Sequence, residues 1–559
     1  MGEALHGIGV SSGVAAGPVY RVAAPPRLPE RVAVPAGRVD VEIERGAMAL
    51  AAVVADLNRR AGAADRPAVV EILRAQAMMA DDPVLRDSVT ELIRAGADAA
   101  HAIDRAFAAH REAFAAAGGY LAERVADLDD LRDRAVAFYL GQPMPGIPAP
   151  GRPFVLAARD LAPADTAVLD PTTVLALVTE EGGPTAHTAI VARTLGIPAV
   201  VRCPGVLRVA EGTTVAVDGG AGTLWVDPSQ ADLDALMARD AERQERLSRS
   251  AGPGRTADGH PVALLANIGS ASDLSGPAGD AAEGVGLFRT ELLYLDRATP
   301  PAVDEEVATY SAVFAAAAGR RIVVRTLDAG ADKPVPYLNH DVEPNPALGV
   351  RGIRLGWRQP DLLQAQLAAI STAASRTAAE VWVMAPMIAT AAEAARFRDY
   401  CREAGLVKAG VMVEIPAAAL RAESILSEVD FISIGTNDLS QYTFAADRQC
   451  GALADLLDPW QPALLELVAA CAEAGKAAGK PVGVCGEAAA DPALAVVLVG
   501  LGITSLSMAP RAIPAVREAV AAHALPDSQR LAAAVRGAAD AIEARALARR
   551  HGAFHDPAR

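Results

Sequence analysis

The most constraining feature of this sequence is a series of eight short strand-like runs in its C-terminal half. Each run is rich in β-branched and other apolar residues, and most are separated from the next by apolar residues at three- and four-residue intervals. The runs are VALLAN, GVGLF, IVVRTLD, VWVMAP, VMVEIP, FISIGT, VGVCGE and SLSMAP. Eight strand–helix units of this kind predict a C-terminal (β/α)8 TIM barrel over residues 256–559.

Polar or reactive groups stand at the ends of at least six of these runs. In such barrels the catalytic residues lie at the C-terminal ends of the strands. The residues found there are Asn267, Arg289-Thr290-Glu291, Arg325 with Asp328, Met387, Glu414, Asn437 with Asp438, Cys485 with Glu487, and Met508. The alternative is that polar residues simply begin the loops, which explains single positions better than it explains the whole set.

Two acidic residues in this set predict a metal site. Glu414 and Asp438 end consecutive runs, which brings two hard oxygen ligands close together. Mg²⁺ typically takes one or two carboxylates and completes its shell with water and substrate oxygens. The pair therefore predicts Mg²⁺ at the mouth of the barrel.

A cluster of cations is predicted around the same mouth, on Arg289, Arg325, Arg351, Lys333 and Arg448. The chain carries 52 basic and 68 acidic residues, a net charge of −16. Against that background the cluster indicates a bound polyanion, since guanidinium groups bind phosphate bidentately. Any one of these arginines, taken alone, fits an ordinary ion pair better.

Cys485 also ends a strand run, within VGVCGE. A buried apolar cysteine and a proton donor to a carbon atom explain this position about equally well. The residue pattern leaves both interpretations open.

The first 228 residues combine two patterns. Residues 1–20 and 142–228 contain strand-like runs and short helices, which predicts one discontinuous α/β domain. Residues 21–141 lie between proline-rich stretches and show helical periodicity, which predicts an inserted α-helical bundle. The charged segment 229–255 ends in AGPG and predicts a linker helix.

His187 lies where a Gly-Gly loop enters a helix predicted between Thr185 and Leu195. The first turn of a helix offers unpaired N–H groups and positive potential, which would stabilise a phosphoryl group on the imidazole. A neutral imidazole is also nucleophilic near pH 7. A histidine in a helix turn is nevertheless more often structural, and this motif alone leaves both interpretations open.

Composition excludes several classes of protein. A hydrophobic content of 52% with 21% charged residues excludes a disordered chain, and the net negative charge argues against a nucleic-acid partner. No apolar run reaches about 18 residues, so no membrane insertion is expected. The N-terminus lacks a signal-peptide pattern, so we expect a cytoplasmic protein. Five cysteines fit reduced thiols better than a disulfide framework.

Seven stretches together resemble enzyme I of the bacterial phosphoenolpyruvate-dependent sugar phosphotransferase system. They follow one another in order along nearly the whole chain, and IGTNDLSQYT with RTLDAGADK is a specific combination. The stretches are GGPTAHTAIVARTLGIPAV, GVGLFRTELLYLDR, VVRTLDAGADKP, NPALGVRGIRL, VMVEIPAA, FISIGTNDLSQYTFAADR and VGVCGEAAAD.

The resemblance implies a multidomain α/β enzyme with a swivelling phosphohistidine domain, a helical insertion that binds the phosphocarrier protein HPr, and a barrel that binds phosphoenolpyruvate and dimerises. Such an enzyme phosphorylates itself from phosphoenolpyruvate, releases pyruvate and passes the group to a histidine of HPr, the first step of sugar uptake. The family's roles fall on His187 as the phosphorylated nucleophile, Cys485 as the proton donor, Glu414 and Asp438 as Mg²⁺ ligands, and Arg289, Arg325, Arg351, Asn437 and Arg448, with Lys333 nearby, as substrate-binding residues.

Two departures from the family pattern are present. The family often has Ser before the active histidine, where this chain has Ala186, and often has Trp where Val350 precedes Arg351. Neither change removes a charged or transferring group, so the resemblance still implies the same reaction. The two changes would affect only its rate.

Three rival interpretations share parts of this pattern. A pyruvate phosphate dikinase or phosphoenolpyruvate synthase needs an additional ATP-binding domain, for which 559 residues leave no room. A nitrogen-related variant would carry an N-terminal sensory domain, which the strand-like start of the chain disfavours. An inactive regulator that only binds phosphoenolpyruvate is disfavoured by the joint presence of His187, Glu414, Asp438 and Cys485.

Overall fold

The fold is taken from a computed structural model of the chain. The structure describes residues 3–552 except 23–25, 32–33, 64–66, 118–124, 149, 162–164, 166–168, 184–186, 295–296, 298, 331–334, 336, 339–342, 344 and 449–452. The chain forms two compact units, Met1–Asp240 and Ala241–Arg559, and each has its own hydrophobic core.

Unit 1 contains an eight-stranded mixed sheet. The order of the strands is β1-β8-β7-β3-β4-β5-β6-β2, with β3 to β6 parallel and the other pairs antiparallel. The helix α6 (His187–Leu195) packs its Ala189 and Ala192 among apolar residues of one sheet face. The strands are β1 (Ala4–His6), β2 (Ile8–Ser11), β3 (Val14–Arg21), β4 (Phe154–Ala158), β5 (Val174–Thr179), β6 (Ala199–Val201), β7 (Thr214–Asp218) and β8 (Thr223–Val226).

Among the described residues, five α-helices lie between β3 and β4, as expected for the predicted helical bundle. Their apolar residues at three- and four-residue spacing, such as Leu50, Val53 and Leu57, meet in one buried cluster. Residues 118–124, between the fourth and fifth of these helices, lie outside the described residues. The helices are α1 (Val39–Ala63), α2 (Pro67–Ala80), α3 (Pro83–Arg94), α4 (Ala99–Ala117) and α5 (Val125–Tyr139).

Helix α7 (Gln230–Ser248) connects the two units along the chain. It lies within the segment 229–255 that the sequence predicts as a linker. Of its residues only Leu236 is buried, which fits its strongly charged sequence.

Unit 2 contains the predicted barrel, which is closed and entirely parallel. The eight predicted runs supply its eight strands. They are β9 (Ala263–Ile268), β10 (Gly284–Arg289), β11 (Arg321–Arg325), β12 (Glu380–Ala385), β13 (Ala409–Val413), β14 (Phe431–Ile434), β15 (Val482–Val484) and β16 (Ser505–Met508).

Helices follow the barrel strands and cover the outside of the barrel. The first connections are short, and longer helices follow β10 and the later strands. They are α8 (Pro277–Asp280), α9 (Val303–Ala316), α10 (Ile353–Arg358), α11 (Pro360–Ala374), α12 (Ala391–Glu403), α13 (Pro416–Leu420), α14 (Ala422–Leu426), α15 (Thr436–Phe444), α16 (Pro462–Ala478), α17 (Pro492–Gly500), α18 (Ile513–Ala521), α19 (Leu525–Arg536) and α20 (Ala541–Arg550).

Alternation along the barrel strands decides which side chains reach the bore. On β13, Val411 and Val413 belong to the core beneath the helices, whereas Met412 belongs to a separate cluster inside the barrel. The same alternation turns Arg325 and Glu414 toward the bore at the carboxyl ends of their strands.

Two further expectations concern the whole chain. Among the residues that the structure describes, no helix is long and apolar enough to span a membrane. The four described cysteines are buried and form no disulfide, while Cys450 lies outside the described residues.

Candidate active site

Four carboxylates lie at the carboxyl ends of neighbouring barrel strands. Glu291 and Asp328 follow β10 and β11, Glu414 follows β13, and Asp438 lies in the first turn of α15 after β14. All four are more than nine-tenths buried, and Asp328 and Glu414 are each only 1% exposed. Because burial of an unpaired charge is costly, these acids need counter-charges nearby.

Arg325, the last residue of β11, is the first counter-charge. Its Nη2 lies 2.6 Å from Oε1 of Glu291, and its Nη1 lies 3.3 Å from Asp328 and 3.8 Å from Glu414. Burial works to lower the pKa of Arg325, but the three acids raise it overall, so the residue stays charged. Its buried Nε has no hydrogen-bond partner among the described residues, which leaves a donor for an anion.

Arg351 is the second counter-charge and is 1% exposed. Its Nη2 lies 3.3 Å from Asp328 and its Nη1 lies 3.3 Å from Asp438. Gly330 allows this placement, since a Cβ there would lie only 2.4 Å from the Cβ of Arg351. Asp328 therefore bridges the guanidinium groups of Arg325 and Arg351.

Glu414 has the most perturbed acidity in this cluster. Burial, followed by the charges of Asp438 and Asp328, raises its pKa to about 8, and Arg325 only partly opposes this. A divalent cation beside Glu414 and Asp438 would remove that repulsion. The described residues contain no group of three or more metal-ligating side chains. Two carboxylates fit an ion that takes its other ligands from water and substrate, as Mg²⁺ does.

Three of the remaining predicted substrate residues lie at the rim of this cluster. Arg448 is 35% exposed in its side chain and lies 3.5 Å from Asp438, while Asn437 accepts a hydrogen bond from the loop after β15. Arg289, the last residue of β10, is exposed and has no hydrogen bond or ion pair to any described residue. Lys333 lies outside the described residues. Arg289 is therefore available to an anion at the mouth.

Cys485 directly follows β15 and is 4% exposed. Its Sγ lies 3.6 Å from the carbonyl oxygen of Ile434, to which the thiol donates. Burial is the main cause that raises the pKa of Cys485 to about 11. The residue is therefore a protonated thiol at neutral pH, a state that suits a proton donor and not a nucleophile.

His187 is the first residue of α6 in unit 1. The structure describes its backbone, and the three residues before it, including Ala186, lie outside the description. Gly182 in the preceding loop has a φ of 89°, a conformation that favours glycine. A helix follows this loop as the sequence predicts, although its predicted start at Thr185 lies outside the described residues, and a phosphoryl group on His187 stays a prediction.

Three models of one enzyme family match successive parts of the chain. The N-terminal model of the PEP-utilising enzymes matches residues 6–124, and the mobile-domain model matches 150–222. The PEP-binding-domain model matches 243–525, which is more than half of the chain and includes the whole barrel.

Similar proteins define the family more narrowly. A phosphoenolpyruvate-protein phosphotransferase of Streptomyces coelicolor is 54% identical over 98% of this chain and 99% of its own length. The chain belongs to the phosphoenolpyruvate-protein phosphotransferases, the enzyme I family. Proteins of the same name from Haloferax volcanii and Geobacillus stearothermophilus are 42% and 38% identical, over 82% and 91% of this chain and 83% and 92% of their own lengths.

Membership of this family confirms the resemblance, the multidomain fold with its barrel, and the enzyme class. The enzyme uses phosphoenolpyruvate as its phosphoryl donor, and its family uses a divalent metal ion. The PEP-binding-domain model covers the part of the chain that carries this cationic mouth.

The sequence identifies the strand ends but misses parts of the site. Glu291 and Asp328 stand at predicted strand ends, yet their role as partners of Arg325 emerges only from the folded barrel. Met387 has a φ of 58°, is 1% exposed and donates its N–H to Oε2 of Glu414 at 2.8 Å. No sequence signal predicts a left-handed backbone at methionine.

Proposed function

We propose that this enzyme transfers the phosphoryl group of phosphoenolpyruvate to its own His187 and then to a histidine of HPr, in the first step of sugar uptake. The buried arrangement of Arg325 and Arg351 with Glu414 and Asp438 at one barrel mouth carries this proposal. Fixed cations beside two carboxylates that would hold a metal ion support this proposal, since the transfer of a phosphoryl group requires both.

The substrate residues divide into fixed and available cations. Arg325 and Arg351 are held in place by buried acids, while Arg289 and Arg448 at the rim, together with Lys333, bind the phosphate and the carboxylate of the substrate. Asn437 adds a neutral donor beside them.

Glu414 and Asp438 would hold Mg²⁺, and the ion would supply charge neutralisation for the transferring group. The high pKa of Glu414 fits this assignment, because the carboxyl group lacks a sufficient counter-charge in the protein alone. Its proton would be displaced when the ion binds.

The chemistry requires three events. A ring nitrogen of His187 attacks the phosphorus in line, and the bond from phosphorus to the enol oxygen breaks. The cations stabilise the enolate of pyruvate that leaves. The Cys485 thiol then gives its proton to the methylene carbon, which yields pyruvate and a thiolate.

The two chemical centres lie in different compact units of the chain, with His187 in one and the barrel mouth in the other. We propose that residues 1–20 and 142–228 form the phosphohistidine domain, 21–141 the HPr-binding insertion, 229–255 the linker, and 256–559 the substrate-binding and dimerising barrel. A swivel about the linker would carry His187 from the barrel to HPr. We also propose that the enzyme is a cytoplasmic homodimer.

Mass spectrometry of the protein after mixing with phosphoenolpyruvate and magnesium tests the first transfer. An acid-labile adduct on His187 together with released pyruvate is the expected result. An unmodified protein that binds phosphoenolpyruvate would make it an inactive regulator, and phosphorylation by ATP with pyruvate would favour the dikinase interpretation.

Adding HPr to the labelled protein tests the second transfer. The label should move from His187 to a histidine of HPr, and retention on the enzyme would contradict HPr as the acceptor. Double electron–electron resonance between labels on the two units tests the swivel, which one fixed distance with and without phosphoenolpyruvate would refute.

A further inference from the structure

The bore of the barrel contains a small hollow of about 20 Å³, room for about one water molecule, on the amino-terminal side of the active-site mouth. Large side chains such as Trp382 and Phe431 line one side of it, and small residues line the other. Its lower end lies at Arg321 and Pro481, at the amino ends of β11 and β15, and both residues are partly exposed. The hollow therefore reaches toward solvent at the mouth opposite the active site.

Hydroxyl groups line the small-residue side of this hollow. Ser433 on β14 and Ser505 and Ser507 on β16 all contribute to its wall. A Cβ on Gly286 would lie 2.4 Å from Oγ of Ser507, and one on Gly483 would lie 2.5 Å from Oγ of Ser505. The two glycines thus keep space open beside the hydroxyls, which can hold a water molecule there.

Ser433 and Cys485 are neighbours inside the barrel, because β14 and β15 pair Ser433 with Gly483, and Cys485, two residues further on, belongs to the cluster in the bore. Burial raises the pKa of Cys485, and a hydrogen bond from the Ser433 side chain opposes that rise. A bond that favours the thiolate is one in which the Ser433 hydroxyl donates to sulfur. Asn267 fixes the same strand ends, since it donates to the carbonyl of Cys485 at 3.0 Å and accepts from Oγ of Ser507 at 2.5 Å.

The proposed reaction leaves Cys485 as a buried thiolate after each turnover. The thiol must regain a proton before the next enolate forms. In the proposed reaction the substrate anion and the ion-paired arginines fill the active-site mouth on one side of Cys485. The hollow lies on the opposite side of Cys485 and offers a separate route for the proton.

We propose that water in the bore returns the proton to Cys485 through Ser433, from the mouth of the barrel opposite the active site. The Cys485 thiolate takes the proton of the Ser433 hydroxyl, and Ser433 takes one from water in the hollow. Solvent at the lower mouth replaces that proton, so no oxidation or reduction is involved. The inference rests on the proposed role of Cys485 as proton donor.

Time-resolved infrared spectroscopy of the S–H stretch tests this route in the full-length enzyme. After mixing with phosphoenolpyruvate and Mg²⁺, the band of Cys485 should decrease as the proton leaves and recover as the thiol is restored. No decrease in the wild-type enzyme would refute the donor role itself and the relay with it, which separates the two failures.

Variants of Ser433 and Ser505 then test the proposed route of the proton. Ser433→Ala should leave the initial decrease unchanged but slow the recovery at least about 10-fold, and Ser433→Thr should restore it. Ser505→Val, which places methyl groups at the lower end of the hollow, should also slow recovery. Ser528→Ala, a buried serine on α19 outside the hollow, is the matched control and should recover normally.

Two outcomes would overturn the relay. Normal recovery in Ser433→Ala would mean that the proton arrives through the active-site mouth. Slow recovery in Ser433→Ala with normal recovery in Ser505→Val would refute entry from the lower mouth. Thermal unfolding shows whether each variant is folded, and if Ser433→Ala is not, normal recovery in Ser505→Val alone overturns the route.

Discussion

Replacing Asp328 by asparagine tests whether one carboxylate holds both buried guanidinium groups. Its Oδ2 lies 3.3 Å from Arg325 and 3.3 Å from Arg351. At an effective dielectric constant of about 20, each attraction is worth about 5 kcal/mol before desolvation is counted. Removing one member of a buried ion pair costs about 3–5 kcal/mol net. We expect the variant to lose about 3 kcal/mol of unfolding free energy, at the low end of that range.

The expected loss lies at the low end of the range of about 3–5 kcal/mol because Glu414 compensates in part. The charge of Asp328 raises the pKa of Glu414, so the pKa should fall when that charge is removed. Glu414 will then ionise more readily at neutral pH and return part of the lost attraction to Arg325.

Urea unfolding followed by tryptophan fluorescence measures this loss. Trp225 is the one tryptophan of unit 1, and a Trp225→Phe background leaves the signal to Trp357, Trp382 and Trp460 of the barrel unit. The matched control is Asp527→Asn, which removes an exposed ion pair and should cost less than about 1 kcal/mol. Equal losses in the two variants would refute the bridging role of Asp328.

Other predictions address the chemistry and the metal. His187→Ala should abolish acid-labile labelling but leave phosphoenolpyruvate binding intact by calorimetry, and lost binding would contradict the division between two units. Cys485→Ser should slow pyruvate formation more than about 10²-fold, and an unchanged rate would leave the thiol with a packing role only. Gly435→Ala should weaken Mg²⁺ binding about 10-fold, since its Cβ would lie 2.9 Å from Cγ of Glu414, whereas Gly537→Ala should not. Affinity for Mg²⁺ should rise with pH and level off only above pH 8, because the ion binds the ionised form of Glu414, and a flat profile in a titration would count against that ligand.

The parts of the fold that could be predicted depend on local periodicity. Helix α1 and the barrel strands repeat apolar residues at the spacing their own secondary structure requires, so neighbours in the sequence suffice. The barrel rule then places Glu414 and Asp438 at one mouth without any knowledge of loops.

The parts that could not be predicted depend on contacts between distant residues. Asp328 contacts both Arg325 and Arg351 because the chain passes beside Gly330 again at Arg351. No local sequence pattern indicates this contact. The backbone of Met387 is left-handed although methionine does not favour that conformation. Ser433 reads as an ordinary strand residue until the hollow beside it is seen.

The hollow in the bore also has a mechanical consequence. Hydrostatic pressure destabilises folded proteins in proportion to the internal voids that unfolding eliminates. A dry space in the bore would add a small amount to that volume change, whereas one already filled with water would not. High-pressure unfolding of the resting enzyme therefore reports whether the centre of the barrel is wet, with no substrate present.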